Sequence, residues 1–170
     1  MLNKHKLGYP QQIEDITLTT ADFDVPETLD FLRRLYKSTR YEEMSGFGWP
    51  EYQIDTFLTQ QFQFQHRDYT ARYKKGLFYL IHYREKRCGR IYLNYGESEI
   101  RVVDIALLPE FRGRGIGSSL FTALIAEAKE LGIPVTLHVE VFNQCQRLYQ
   151  RLGFIAESSN GVHTFMKLEP

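Results

Sequence analysis

The stretch that decides the fold is Asp104–Gly117, DIALLPEFRGRGIG. Ile105–Leu108 is an apolar run that reads as a buried strand, and Pro109 stops it. Arginine and glycine then alternate through Arg112, Gly113, Arg114 and Gly115, followed by Ile116 and Gly117. A helical pattern starts at once in SSLFTALIAEAKEL, where Leu120, Leu124, Ala128 and Leu131 keep the helix period. Strand, glycine-rich loop and helix N-terminus together make an arrangement that binds a phosphorylated ligand. Glycine opens backbone conformations closed to other residues. The first-turn amides of the helix, including Ser118, have no intrahelical partners and sit at the positive end of the helix dipole, so they attract anions. Arg112 and Arg114 add charged donors.

Two common phosphate loops do not fit. A dinucleotide fingerprint needs G-x-G-x-x-G, and Ser118 stands where the third glycine belongs. A P-loop needs G-x-x-x-x-G-K-[ST], and Gly113 and Gly117 have the wrong spacing with no Lys after them. What fits is R-x-x-G-x-G, read as Arg112, Gly115 and Gly117. Downstream, Pro134–Phe154 reads PVTLHVEVFNQCQRLYQRLGF. Val135, Leu137 and Val139 alternate as in a strand, and Asn143 can cap a short helix that ends at Gly153. Asn143, Cys145, Tyr149 and Gly153-Phe154 resemble the pattern N-x-x-A-x-x-x-Y-x-x-x-G-F, with the small residue moved to Cys145. Together the two motifs resemble those of the GNAT superfamily of acetyl-CoA-dependent N-acetyltransferases, over residues 77–168.

Outward from the loop, Leu77–Tyr83, Cys88–Tyr95 and Ile100–Leu107 read as an antiparallel meander, with turns at Arg84–Arg87 and Gly96–Ser98. Val135–Val139 should lie parallel to Ile100–Leu107, because helix Gly117–Leu131 crosses over between them; Gly132 and Pro134 stop that helix. A short strand after Gly153 and another at Val162–Leu168 close the chain. Upstream, Ile13–Thr19 reads as a strand. Asp22 or Asp24 with Pro26 starts a helix carrying Leu29, Leu32 and Tyr36 on one face. Lys37–Gly48 reads as a polar connection, and Pro50 opens a helix with Ile54, Phe57, Leu58 and Phe62 inward and its glutamines on the wet side. There is no internal repeat and no linker, so residues 1–170 read as one α/β domain: a mixed, mostly antiparallel sheet flanked by helices.

Composition bounds the chemistry. Hydrophobic residues are 43% and charged residues 25%, as in ordinary soluble domains. Lys+Arg and Asp+Glu are equal at 21 each, so no overall field favours nucleic acid or an anionic membrane, and any anion site is local. Cys88 and Cys145 make no disulfide framework and read as buried thiols in a reducing compartment; neither has a histidine in a nucleophile's arrangement. The N-terminal MLNKHKLGYPQQ lacks the apolar core of a secretory signal, and no apolar run approaches the ~20 residues that span a bilayer. A cytoplasmic location is expected.

The resemblance implies that the strand ending in Ile105, Ala106 and Leu107 splays from Val135–Val139, and that pantetheine lies in the gap. The acetyl oxygen would then meet a backbone N–H near Leu107. Arg112–Ser118 would hold the pyrophosphate, Asn143 would contact the cofactor, and Tyr149 would protonate the leaving thiolate, since a phenol suits an alkyl thiolate. Asn143 also fits simple helix capping, and Tyr149 a core aromatic. The base stays open among Asp104, Glu140, Glu43 and His138. Glu42 and Glu43, with Tyr41, Phe47 and Trp49 nearby, would wall the acceptor site, or form a solvated acidic turn on an aromatic anchor. The implied activity is transfer of acetyl from acetyl-CoA to a primary amine, with no metal, nucleic acid or membrane partner and with homodimerisation open. A longer acyl-CoA donor and a non-catalytic acyl-CoA-binding or sensing module are the alternatives.

Overall fold

The computed structural model describes residues 9–170, so the first eight residues of the segment read above as lacking a secretory signal lie outside the described residues. Strands β1 (Gln12–Ile13) and β2 (Ile16–Thr20) form a hairpin rather than one strand, turned by Glu14 at φ 50°. Helices α1 (Pro26–Ser38), α2 (Tyr41–Ser45) and α3 (Glu51–Arg72) follow. The meander is β3 (Leu77–Tyr83), β4 (Lys86–Tyr95) and β5 (Ile100–Leu107). Helix α4 (Ile116–Leu131), β6 (Val135–Glu140), α5 (Cys145–Leu152), β7 (Ile155–Ser159) and β8 (His163–Leu168) complete the chain. The eight strands form one sheet in the order β1-β2-β3-β4-β5-β6-β8-β7, antiparallel except for β5 beside β6. No helix among the described residues is long and apolar enough to cross a membrane.

Each face of the sheet has its own core. On one face α4 lays Leu120, Phe121 and Leu124 against Ile91, Leu93, Val102 and Leu137. Gly115, the residue before α4, offers no side chain to cap it, a deficit of roughly a few tenths of a kcal/mol for glycine at this position. Burying each of those large side chains contributes about 1.5–3 kcal/mol, so packing rather than capping holds α4. On the other face α1 buries Phe31, Leu32, Leu35 and Tyr36 against Ile54, Leu58 and Phe62 of α3 and Leu80 of β3. The α1 face is thus rotated toward Phe31 and Leu35, leaving Leu29 at its margin. The connection read as polar contains α2, a single turn with no buried residue and hence no apolar signal to find.

Two irregularities shape the middle of the sheet. Parallel pairing of β5 with β6 covers only Ile100–Val135, Arg101–Thr136 and Val102–Leu137, after which the strands part. At the same level the β4–β5 register jumps: Tyr92 faces Asp104, Leu93 faces Val102, and Val103 has no counterpart. A β-bulge of this kind bends its strand and raises the local twist. The bulge therefore sits where β5 turns away from β6, and it opens a wedge-shaped slot in the sheet.

Candidate active site

A cavity of about 330 Å³ fills the slot and the space above it. Val103–Ala106 of β5 form one wall and Leu137–Glu140 of β6 the other. Tyr36, Arg40 and Glu43 close it from the α1–α2 side, Gln65 and Tyr69 from α3, and Asn143 and Tyr149 from the α5 side. Because pairing ends at Val102, the facing edges of β5 and β6 beyond that point are open to a guest that bonds like a strand.

The glycine loop lies past the wide end of β5. Pro109–Phe111 make one 3-10 turn, then Gly113 (φ 73°) and Gly115 (φ 79°) take left-handed conformations that favour glycine. Ser119 N–H donates to the Gly115 carbonyl at 3.0 Å, which leaves the amides of Ile116, Gly117 and Ser118 as the free first turn of α4. The Ile116 side chain is core, so only its backbone can serve a ligand. A Cβ added at Gly117 would stand 3.9 Å from Leu148 Cδ2 of α5. Arg112 turns back: its Nε donates to the Leu107 carbonyl at 3.0 Å and pins the loop to the end of β5. Arg114 lies over the Phe111 ring at 5.5 Å.

Gln144 rather than Asn143 is the N-cap of α5, but Asn143 Oδ1, one residue before it, accepts the Cys145 N–H at 2.8 Å, and Asn143 also lines the cavity. Tyr149 is buried, with its ring edge-on to Phe121 at 5.2 Å and to Phe154 at 5.9 Å. Burial, with Cys145 and Asp104 adding to it, pushes its phenol above the ordinary value. The group therefore stays protonated at neutral pH and has a proton to give. Cys145 is exposed, not buried as read from the sequence: it shares the helical face of Leu148 and Tyr149 but is the first residue of α5, at the open end of the helix; only Cys88 is enclosed, its thiol pushed up by burial to about 11.

The carboxylates differ in their surroundings. Asp104 Oδ2 accepts from Arg90 Nε at 2.6 Å. Glu140 pairs with Arg40 at 3.0 Å across the cavity mouth. Glu43 lines the cavity with no ion pair among the described residues. His138 is not a candidate base. Arg101 Nη1 approaches its Nδ1 at 2.8 Å, and a guanidinium only donates, so Nδ1 is the acceptor and Nε2 carries the proton. Burial and Arg101 further lower its pKa. Trp49 does not reach the cavity; it stands edge-on to Phe57 at 5.7 Å, with Phe47 and Tyr41 also outside the lining. Arg90, Gln65 and Tyr69 are cavity residues that the sequence did not single out.

Comparison with known proteins agrees with this geometry. The acetyltransferase (GNAT) family model matches residues 29–154. No curated protein matches the chain. Among solved structures, the PaiA N-acetyltransferase from Thermoplasma acidophilum in complex with coenzyme A is similar at TM-score 0.67 and 19% identity, covering 91% of this chain and 99% of that one. A GNAT family acetyltransferase from Elizabethkingia anophelis with acetyl-CoA bound has TM-score 0.57 at 18% identity, covering 93% and 100%. RimL, a ribosomal L7/L12 α-N-protein acetyltransferase in complex with coenzyme A, has TM-score 0.61 at 20% identity, covering 95% and 97%. With an open strand pair, a glycine loop at its end and a family match over most of its length, the chain belongs to the GNAT family of acetyltransferases.

Proposed function

We propose that this protein moves an acetyl group from acetyl-CoA directly to a primary amine. The observation that carries the reading is the continuity between the free amides of Ile116–Ser118 and the unpaired edge of β5. A ligand with a diphosphate at one end and amides along its arm matches both, the first through the helix N-terminus and the second as an added strand. The solved relatives crystallised with coenzyme A or acetyl-CoA support the same ligand.

In this reading the thioester lies between β5 and β6, with its carbonyl oxygen near the backbone at Ile105–Leu107 as charge develops. Tyr149 gives its proton to the departing thiolate. Asn143 orders the start of α5 and touches the arm. The amine enters from the α1–α2 side, where Glu43 supplies the one carboxylate of the cavity without an ion pair among the described residues. The attacking nitrogen must be neutral, so the ammonium first gives up a proton to solvent; after attack the nitrogen sheds a second proton, which restores the Tyr149 phenol, and the neutral amide leaves with coenzyme A as the free thiol.

The test is release of free thiol from acetyl-CoA in the presence of phenethylamine, putrescine, Nα-acetyl-lysine amide or a tetrapeptide with a free N-terminus. Amine-dependent release with mass-confirmed acetylation supports the transferase. Tight acetyl-CoA binding with no release for any amine would instead favour a sensing module.

A further inference from the structure

Beneath the cavity lies a cation that the chemistry above does not use. Arg90 is 3% exposed. Its Nε donates to Asp104 Oδ2 and its Nη2 to Gln65 Oε1, each at 2.6 Å, and the guanidinium lies 4.6 Å from the centre of the Tyr92 ring. Burial alone would lower its pKa, but Asp104 beside it holds it above the ordinary value. A buried guanidinium left without partners is costly, so the two acceptors are fixed by it as much as it is by them. Gln65 brings the position of α3 into this arrangement, and the bulge at Val103 brings β5.

The consequence falls on Asp104. One oxygen is taken by Arg90, while Oδ1 has no hydrogen-bond partner among the described residues, and the side chain lines the cavity that also holds Tyr149. With Arg90 the carboxylate forms a neutral, oriented pair. Its remaining oxygen is an acceptor for an N–H. Glu43 differs, since its charge is not offset by an ion pair among the described residues.

We propose that Arg90 and Gln65 are positioning residues that hold Asp104 so that Oδ1 receives an N–H of the acceptor amine, aiming the nitrogen lone pair at the thioester. This rests on the reading of the cavity as the acceptor site of an acetyltransferase. Glu43 then draws the ammonium in, and Asp104 orients the amine once it is neutral.

The test is steady-state kinetics of the full chain, using the fastest amine of the four named above. Gln65→Leu and Asp104→Asn should each raise KM for the amine about tenfold, the loss of one hydrogen bond to a charged group, with KM for acetyl-CoA unchanged. The double variant should be no worse than Asp104→Asn alone, because Gln65 acts through Asp104. Arg90→Lys, which keeps the charge but loses the fork, should shift KM in the same direction. A double variant whose loss is the product of the two single losses would overturn the proposal, as would parallel rises in KM for acetyl-CoA. If Arg90→Lys fails to fold, the Gln65 and Asp104 pair decides alone. No turnover of any amine by the parent would overturn the transferase reading and this proposal with it; turnover by the parent with additive variants would overturn this proposal only.

Discussion

Gly89 of β4 and Ala106 of β5 approach so closely that a Cβ on Gly89 would stand 2.3 Å from the Ala106 carbonyl oxygen and 2.7 Å from Leu107 Cδ2. Both neighbours belong to the far half of β5, the half that leaves β6. Gly89→Ala must push that segment away. The expected result is a destabilisation of about 1–3 kcal/mol from overpacking, read as a lower thermal midpoint, together with weaker acetyl-CoA binding by calorimetry. Unchanged affinity in a folded variant would mean that the β5 edge does not hold the ligand.

At Gly115 the space is open, since nothing lies within 4 Å of a built Cβ. Its φ of 79° is one that Asn and Asp tolerate better than other residues. Gly115→Asp should keep the fold and place a carboxylate where phosphate oxygens belong. Acetyl-CoA affinity should fall at least tenfold, about 1.4 kcal/mol. Gly115→Asn, with the same shape and no charge, should lose much less. Equal losses in the two would point to backbone strain rather than charge.

Tyr149→Phe removes one hydroxyl and keeps the contacts with Phe121 and Phe154. Turnover should drop by about 10²-fold, in the range that a general acid contributes, with little change in acetyl-CoA affinity. Full activity in this variant would assign the proton to another donor.

Glu43 and Trp49 separate by position. Glu43→Gln should raise KM for the amine several-fold and leave that for acetyl-CoA alone, because an ammonium loses its counter-charge. Trp49→Ala should leave both constants near the parent values and lower the thermal midpoint, since its ring contacts Phe57 rather than the cavity. The reverse pattern would place the acceptor against the aromatic segment.

Three histidines are held neutral. Burial lowers the pKa of His66, His82 and His138 below 6.5, with Arg90, Arg87 and Arg101 adding to it in turn. Below about pH 6.5 the unfolded chain binds more protons than the folded one, so stability rises with pH through that window and is lost as pH falls. Thermal midpoints should be level above pH 7 and decline from 6.5 toward 5. His138→Gln, which can still accept from Arg101, should shallow that decline. A flat midpoint over the same range would show that these rings titrate as they do in the unfolded chain.

Much of the frame was legible because it rests on local signals. The meander, the crossover helix and the parallel placement of β6 follow from apolar runs, turn residues and the handedness of crossovers. The left-handed conformations of Gly113 and Gly115 follow from the loop itself. What escaped depends on pairing across distant segments. Arg90 sits in CGRIYLNY, where alternation alone assigns it to a wet face; its burial arises only because α3 covers that face and brings Gln65. The glutamines of α3 read as uniformly solvated for the same reason. Trp49 drew attention as an aromatic beside acids, but the nearer Phe57 claimed it. His138 looked free until Arg101, 37 residues away, was seen to occupy its Nδ1.

Val103 also decides parity. Ile100 and Val102 point into the α4 core, and so do Ile105 and Leu107, although even and odd positions should alternate along a strand. The odd residue out resets the count, so that Ala106 packs with α1 and α3 and Asp104 comes within reach of Arg90. Were Val103 paired regularly instead of bulged out, every side chain from 104 onward would change sides: the carboxylate would turn into the apolar core under α4, and Ile105 and Leu107 would turn toward a buried arginine. One uncounted residue thus keeps the polar half of the strand facing the polar half of the molecule.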